Sequence, residues 1–358
     1  MQGFAGLATS DRHADPGVTA AGASALVIGE ALIDIVARAG RAPVELPGGS
    51  PMNVAIGLGR LGHPTTLATW LGRDARGAAI VAHLAHSGVT LLPGSDGADH
   101  TPTALATVDA TGHATYRFDL VSRLPPLRAG ADASEPPGAT PPGTAMPGAP
   151  AVVHVGSIST VVEPAATAIE HFLAELRGRT TISFDPNCRP SIIGPVDEVR
   201  PRVERLVAAA DLVKVSDEDL AWLYPGDDPQ DQAIRWLGLG PRLVVVTRGS
   251  QGASAVTRGA AAEVPADATV VVADTVGAGD AFTAGLLHAL WRRDRLGSPD
   301  RLDGLTVADL EQVLAVATRV ADITVSRPGA DPPWLTELTP EPGGEPSAAR
   351  RRVGPTAS

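Results

Sequence analysis

The sequence predicts a doubly wound α/β fold, in which helices cover both faces of a mostly parallel sheet. Six short segments are apolar throughout, as strands buried on both faces of a sheet require. Helical patterns alternate with them, which is the βαβα rhythm of this class. The 358 residues, 44% of them hydrophobic, suffice for one large domain or two smaller ones and exclude a wholly disordered chain.

The predicted elements alternate along the chain. The strands are expected at 25–29, 152–155, 181–185, 212–215, 243–247 and 269–273. The helices are expected at 51–61, 77–87, 164–177, 203–210, 217–224, 231–237, 281–291 and 307–326, and we expect the helix at 281–291 to be amphipathic. The segment 103–120 differs, because a turn at 110–113 separates two stretches whose side chains are expected to alternate between two faces. That pattern predicts a β-hairpin, which we interpret as a small lid.

Three segments are predicted to lie outside the folded core. Residues 1–22 are small and polar, 336–358 are rich in Pro, Gly, Ser and Arg, and 125–150 is dominated by Pro, Gly and Ala. Such compositions bury too little apolar surface to offset the entropy lost on ordering. We therefore expect disordered tails at both ends, a flexible insertion at about 125–150, and one folded domain over residues 23–335.

Composition and charge exclude several classes of protein. The net charge of −11 disfavours a nucleic-acid partner, whose affinity depends on clustered cations. The sequence has neither an apolar run of about 18 residues nor a basic-then-apolar start. Neither a membrane span nor a secretory signal is therefore indicated. The single cysteine, Cys188, fits a reducing, cytoplasmic compartment. The single lysine, Lys214, is flanked by valines, which excludes a Walker A loop.

A glycine-rich turn near the C-terminus predicts an anion-binding site. Asp274-Thr-Val-Gly-Ala-Gly-Asp280 joins a predicted strand to a predicted helix. The N–H groups of Gly277, Ala278 and Gly279 would then face a ligand at the positive end of the helix dipole. Such a cradle suits a transferring phosphoryl group. Asp280 at the helix start is either the base that deprotonates a substrate hydroxyl or an ordinary helix cap.

A second glycine segment lies near the N-terminus. Gly48 and Gly49 precede a predicted helix whose Pro51 suits the first turn. Asn53 then falls in that first turn, close to a ligand if the glycines allow the chain to approach it. The alternative is a tight turn followed by first-turn capping, and the residues alone leave both readings open.

Together the two segments resemble the paired signatures of the PfkB (ribokinase-like) family of carbohydrate kinases. Gly-Gly-x-Pro-x-Asn-Val-Ala and Asp-Thr-x-Gly-Ala-Gly-Asp occur in the family's order, and the likeness extends over about residues 26–333. The resemblance implies a ribokinase-like fold with a β lid and an ATP-dependent sugar kinase that uses Mg²⁺. It also implies that Asp280 is the catalytic base and contacts the sugar.

The resemblance carries further roles, residue by residue. It implies that Asp34 contacts sugar hydroxyls. Ser216-Asp-Glu-Asp219 stands where the family has Asn-x-x-Glu, so Asp219 is the candidate for holding Mg²⁺ through water, on a shorter arm. Asp274 is the candidate ligand for a monovalent cation, and K⁺ is the candidate ion. The residues implied to bind the nucleotide are Asn187, Arg189, Ser216, Thr247, Gly249 and Gly252.

The most specific prediction concerns the acceptor sugar. Ser50 replaces the lysine usual in ribokinases, and Phe184-Asp-Pro-Asn-Cys-Arg-Pro190 resembles a fructokinase element. Arg117 in the lid is a further candidate sugar contact. We therefore predict that the acceptor is a keto-sugar, fructose first, with 2-keto-3-deoxygluconate kinase and ribokinase as alternative activities.

Two alternatives come from other classes of protein. A dinucleotide-binding oxidoreductase would need its glycine turn in the first βα unit, and an inactive sugar sensor would not need Asp280. An exposed lid edge favours a homodimer.

Overall fold

The computed structural model describes residues 23–38, 41–108, 114–128 and 149–338. The strands in these residues are, in chain order, β1 Ala25–Ile28, β2 Leu32–Arg38, β3 Val44–Gly48, β4 Thr65–Ala68, β5 Val89–Leu91, β6 Thr103–Val108, β7 Ala114–Asp119, β8 Val152–Gly156, β9 Thr181–Asp185, β10 Leu212–Ser216, β11 Leu243–Thr247, β12 Ala253–Val256 and β13 Ala261–Val264. The helices are α1 Ser50–Arg60, α2 Ala75–His86, α3 Ala165–Leu176, α4 Pro190–Ile193, α5 Val196–Ala209, α6 Asp217–Leu223, α7 Pro229–Leu237, α8 Ala278–Trp291, α9 Val307–Val325 and α10 Leu335–Leu338.

Nine strands form the main sheet, in the order β13-β12-β11-β10-β9-β8-β1-β4-β5. All neighbours are parallel except the β11–β12 and β12–β13 pairs. From β1 the chain first builds outward through β4 and β5, and later through β8 to β13 on the other side. The order therefore reverses between β1 and β8, and open α/β sheets bind ligands at the carboxyl ends of strands at such a point.

Two apolar layers sandwich this sheet. Alternate residues of β1 face opposite layers, so Ala25 and Val27 join one core while Leu26 and Ile28 join the other. The first core contains buried residues of α1, α2, α8 and α9, and the second contains those of α3, α5, α6 and α7. This arrangement confirms the predicted doubly wound α/β class.

The lid is a separate sheet of four strands, in the order β3-β2-β6-β7. The predicted hairpin is confirmed as the antiparallel pair β6–β7, and β2 lies parallel to β6 and antiparallel to β3. Sequence analysis missed β2 and β3, which closely follow Gly29 and Pro43 respectively. Val44 and Leu46 on β3 are exposed.

The structure corrects two further predictions. The strand predicted at 269–273 is wrong: this segment is a loop, and 82% of Val271 is exposed, because no neighbouring strand pairs with it. The helix predicted to be amphipathic at 281–291 is α8, which begins at Ala278 and is buried from Asp280 to Leu290 between α1 and α9. Besides β2 and β3, the strands that were not predicted are β4, β5, β12 and β13.

Several expectations fall on residues that the structure does not describe. The N-terminal tail, most of the 125–150 insertion, the turn at 110–113 and nearly all of the C-terminal tail lie outside the described residues. Within the part of the chain that is described, every helix is too short or too polar to cross a membrane.

Candidate active site

The candidate site lies at the carboxyl edge of the main sheet. Segments that leave β1, β9, β10 and β11 at this edge carry most of the residues predicted from sequence. The N-terminus of α8 is directed to the same edge, where Gly279 adjoins Lys214 of β10. Parallel strands and one buried helix therefore bring together residues that are more than 200 positions apart in sequence.

The glycine turn before α8 has the geometry of an anion cradle. Gly277 adopts a left-handed φ of 75°, and a Cβ there would lie 2.5 Å from the Cβ of Ala330. Only glycine fits this turn. The Ala278 N–H donates to Thr275 O at 3.2 Å, whereas no described residue accepts a hydrogen bond from the N–H of Gly277 or Gly279. The two glycine amides are thus available to an anion at the positive end of α8.

Asp280 sits in the first turn of α8 and is 7% exposed. Ser50 Oγ donates to its Oδ1 at 2.6 Å, and Asn53 Nδ2 donates to its Oδ2 at 2.8 Å. Burial raises the pKa of the Asp280 carboxyl, and these two hydrogen bonds act in the opposite direction. The carboxylate is held by side chains of another helix instead of capping its own, which is the arrangement of an oriented base.

The turn that precedes α1 explains how Asn53 reaches Asp280. Gly49 has a φ of 115°, and a Cβ on it would lie 2.6 Å from Glu30 O. This glycine starts the helix without a side-chain cap, and the Asn53 N–H donates to its carbonyl at 2.9 Å. The Asn53 side chain is therefore free to cross to α8, so first-turn capping does not account for it.

The two lid residues predicted to bind sugar lie in different places. Asp34 is on β2, opposite Leu46 in register, and a Cβ on Gly48 would collide with its Oδ2. Gly48 thus lets the Asp34 carboxylate approach the turn before α1. Arg117 is exposed on β7, an outer strand of the lid, opposite Leu105. The structure brings Asp34 to the edge of the site and leaves Arg117 on the lid.

A cavity of about 910 Å³ opens beside the cradle, on the side of β10 and β11. Its walls include Ala278 and Gly279 of the cradle and exposed Val272 from the loop that precedes it. All six residues predicted to bind the nucleotide line this cavity: Asn187, Arg189, Ser216, Thr247, Gly249 and Gly252. The volume falls within the range of small-molecule sites.

Asn187 and Arg189 follow β9 in an irregular turn. Asn187 has a φ of 40°, and its buried Nδ2 has no hydrogen-bond partner among the described residues. The Arg189 guanidinium donates to Asn187 O at 3.2 Å and to Cys188 O at 2.9 Å. Leaving a buried donor without a hydrogen-bond partner costs free energy. The Asn187 amide therefore fits a ligand acceptor in this cavity.

Asp219 is committed to local structure. Its Oδ1 accepts from Cys188 N at 2.8 Å, its Oδ2 accepts from Ser216 Oγ at 2.7 Å, and Ser216 caps α6 in return. Burial raises the pKa of this carboxyl. Among the described residues no cluster of three or more His, Cys, Asp or Glu could cage a metal ion. The described residues thus provide no complete set of metal ligands, which fits a Mg²⁺ ion bound mainly through phosphate and water.

Asp274 ties the loop before α8 to the end of α9. Its Oδ1 accepts from Val276 N at 3.0 Å and its Oδ2 accepts from Gly329 N at 2.9 Å. The backbone hydrogen bond from Val276, followed by that from Gly329, lowers the pKa of the carboxyl. An ionised carboxylate is an oxygen ligand suited to a monovalent cation.

Sequence analysis assigned no role to a buried ion pair in this site. Lys214 Nζ donates to Asp185 Oδ2 at 3.1 Å, and the two side chains are 5% and 2% exposed. Lys214 also lines the cavity. A signal was present in the sequence, because the chain's single lysine interrupts an apolar strand.

This site combines an oriented, buried carboxylate, two helix-terminal amides without an acceptor among the described residues, and a large cavity with both polar and apolar walls. Together these features define a phosphotransferase of the ribokinase-like class. The family model described as pfkB family carbohydrate kinase matches residues 23–337. The chain belongs to this family of carbohydrate kinases. Recognition from the two glycine motifs is thereby confirmed.

Curated relatives and solved structures agree with this assignment. The chain is 36% identical over 281 residues to the fructokinase of Rhizobium leguminosarum bv. trifolii, covering 74% of this chain and 79% of the relative. It is 33% identical to the fructokinase of Klebsiella pneumoniae, covering 85% and 94%.

Among solved structures, it resembles fructokinase with bound ATP from Xylella fastidiosa, with a TM-score of 0.68, 24% identity and coverage of 88% and 96%. It also resembles aminoimidazole riboside kinase from Salmonella enterica, solved with aminoimidazole riboside and an ATP analogue, with a TM-score of 0.66, 25% identity and coverage of 88% and 96%.

Proposed function

We propose that this protein transfers the γ-phosphoryl group of ATP to a primary hydroxyl of a keto-sugar, with fructose as the preferred acceptor. The observation that carries the proposal is the buried Asp280 carboxylate, oriented by Ser50 and Asn53 beside the free amides of the cradle. Two relatives above 30% identity are fructokinases, which supports the choice of sugar.

The residues divide into four roles in this reaction. Asp280 Oδ accepts the proton of the sugar hydroxyl as that oxygen forms its bond to the γ-phosphorus. The bond from phosphorus to the β–γ bridging oxygen breaks, and ADP leaves. The N–H groups of Gly277 and Gly279 stabilise the charge on the transferring group. Ser50 and Asn53 keep the Asp280 oxygens aimed, and Asp34 is placed to bind another sugar hydroxyl.

The nucleotide occupies the 910 Å³ cavity in this proposal. Asn187 and Arg189 would donate to its phosphates, and Thr247, Gly249 and Gly252 would bind its far side, a division supported by their positions in the cavity wall. Bound Mg²⁺ supplies charge neutralisation for the phosphates. Asp219, with both oxygens already accepting hydrogen bonds, would act on the ion through water.

Release of ADP with a panel of acceptors tests the proposal. The panel contains fructose, ribose, 2-keto-3-deoxygluconate, adenosine and aminoimidazole riboside, each with ATP and Mg²⁺. We expect the highest kcat/KM with fructose, and ³¹P NMR should place the new phosphate on a primary carbon. A higher kcat/KM with ribose or with aminoimidazole riboside would reassign the acceptor, whereas no ADP with any sugar would refute the kinase.

A monovalent cation at the Asp274 loop is a second part of the proposal. A fructokinase double mutant from Vibrio cholerae O395 was solved with fructose, ADP and potassium ion bound. The ionised Asp274 carboxylate, fixed by Val276 and Gly329, supports a similar site here. Replacing K⁺ by tetramethylammonium in the fructose assay should lower kcat, and Asp274→Ala should remove that dependence.

Assembly and compartment complete the proposal. The exposed Val44 and Leu46 of the edge strand β3 support a homodimer through the lid. Light scattering should give the dimer mass, and Leu46→Lys should give the monomer. The single cysteine, buried beside Asp219, supports a reducing compartment such as the cytoplasm.

A further inference from the structure

The chain keeps lysine at one position only. Of its 29 lysine and arginine residues, Lys214 is the single lysine. It lies on β10, in a strand whose other central residues are buried valines, and it is 4% exposed. Because arginine serves at every other cationic position, the lysine at this one points to a local requirement for a compact ammonium group.

The position of the ammonium is fixed by groups on two neighbouring elements, β9 and α8. Lys214 Nζ donates to Asp185 Oδ2 on β9 at 3.1 Å. The same oxygen accepts from Thr283 Oγ1 of α8 at 3.4 Å. A Cβ on Gly279 would lie 3.0 Å from Nζ, so the ammonium lies against the second glycine of the cradle. A planar guanidinium would not fit between these groups without displacing one of them.

The charges around the cradle make this cation necessary. Asp185, Asp219 and Asp280 are all buried within this site, where they oppose the entry of a polyphosphate. Burial acts to lower the pKa of the Lys214 ammonium, but Asp185 and Asp219 outweigh it and the pKa is raised. One N–H group donates to Asp185, and the described residues provide no acceptor for the other two.

We propose that Lys214 is a catalytic residue whose free N–H groups bind the non-bridging oxygens of the transferring phosphoryl group, and that Asp185 is its positioning residue. This inference rests on the proposed kinase activity. No covalent step is involved, since the lysine stays protonated and acts by charge and hydrogen bonding. The competing interpretation is that Lys214 serves only as the counter-ion that permits Asp185 to be buried.

A pair of variants separates the two interpretations. Lys214→Met keeps the volume and removes the charge, and we expect kcat with fructose to fall by roughly 10²- to 10³-fold, the scale for one lost transition-state donor. The Kd for ADP, measured by calorimetry, should change far less. In Lys214→Met/Asp185→Asn the lysine and the carboxylate that accepts its hydrogen bond are both neutralised, so the Tm should recover. If Lys214 is catalytic, the Tm of the double variant should recover while its kcat stays low. If Lys214 is only a counter-ion, both the Tm and kcat should recover.

The single lysine allows a test that needs neither a variant nor a sugar. Protein labelled with ¹³C,¹⁵N-lysine gives one side-chain CεH₂ resonance, that of Lys214. We expect a larger shift with MgADP and aluminium fluoride, which imitates the transferring phosphoryl group, than with MgADP alone. An unchanged resonance, or a Lys214→Met variant with near wild-type kcat, would overturn the proposal.

One control variant and the labelled wild-type protein make the outcomes distinguishable. Arg242→Met removes an ion-paired cation remote from the cavity and should leave kcat unchanged. If wild-type protein forms no ADP with any acceptor, the proposed function fails, and the lysine resonance then decides the phosphoryl-binding role by itself. If Lys214→Met does not fold, the double variant and the labelled wild-type protein still give the answer.

Discussion

The two ends of helix α8 bury polar groups in different ways. At its N-terminus, Asp280 and the Lys214–Asp185 pair lie buried in charged or chargeable form beside an open cavity. At its C-terminus, His288 Nδ1 lies 2.8 Å from His63 Nε2, inside a closed core.

The histidine end is a packing arrangement. His63 stacks on Trp291 with ring centroids 4.4 Å apart. Burial, and then the charges of His288 and Arg292, lower the pKa of His63 to about 3. Burial, and then the charges of Arg292 and Arg293, lower that of His288 to about 4. Both rings are therefore neutral at neutral pH and share one hydrogen bond.

The difference shows what each end is built to do. The neutral histidine rings share a hydrogen bond and carry no charge that needs a partner. The N-terminal end instead retains carboxylates in excess and amides without an acceptor among the described residues, as a ligand site requires. Burying charge without a full set of partners costs stability. The buried, incompletely partnered charges at the N-terminal end of α8 therefore mark that end as the functional one.

Glycine substitutions within α8 should separate function from packing with the largest effect. Gly279→Val places a side chain against Lys214 Nζ and the cradle, so kcat should fall by roughly 10²- to 10³-fold, as for a lost oxyanion donor. The matched control is Gly285→Ala, whose Cβ would lie 2.9 Å from Ala317 Cα on α9. That variant should lose about 1–3 kcal/mol of stability through overpacking and keep its turnover per folded molecule.

ADP release and thermal melting on the same preparations check this pair. A destabilised but fully active Gly279→Val would mean that the turn is structural and that phosphate binds elsewhere.

The histidine end makes a prediction about stability and pH. Because folding depresses the pKa of His63 and His288, the unfolded chain binds protons below about pH 6.5 that the folded chain does not. The free energy of unfolding should therefore decrease as the pH is lowered from about 6.5 to 4, by up to about 1.4 kcal/mol per pH unit for each histidine. Urea unfolding measured at several pH values gives this slope.

Variants isolate the imidazoles from the carboxylates in that experiment. His63→Leu/His288→Leu should have a shallower slope than wild type between pH 6.5 and 5, because two of the groups are gone. His171→Gln, at an exposed position on α3, should keep the wild-type slope. Equal slopes in all three proteins would contradict a neutral buried pair.

Much of the fold was predictable because strongly periodic or wholly apolar segments determine their own class. The strand at 243–247 was predicted to the residue, whereas β4, β12 and β13 are four-residue strands whose patterns resemble loops. The segment 269–273 has the composition of a strand but no neighbour to pair with, and pairing is a tertiary property.

The site was predictable where backbone shape demands a residue type. Gly49 and Gly277 have positive φ and close neighbours, so only glycine fits at these positions. The sequence motifs that contain them therefore indicate the backbone geometry directly. The partner of Asp280 was harder to foresee, because Ser50 lies 230 positions away. Lys214 was visible as an isolated lysine, but its proximity to Gly279 arises only when β10 and α8 meet.

The most direct test of the central claim compares wild-type protein with Asp280→Asn, an isosteric change that removes the basic carboxylate. Turnover of ATP with fructose and the Kd for ADP are measured on the same two preparations. If Asp280 is the base, kcat should fall by at least about 100-fold, while the Kd for ADP stays close to wild type because the cavity is intact. An Asp280→Asn protein that turns over near the wild-type rate would contradict the account.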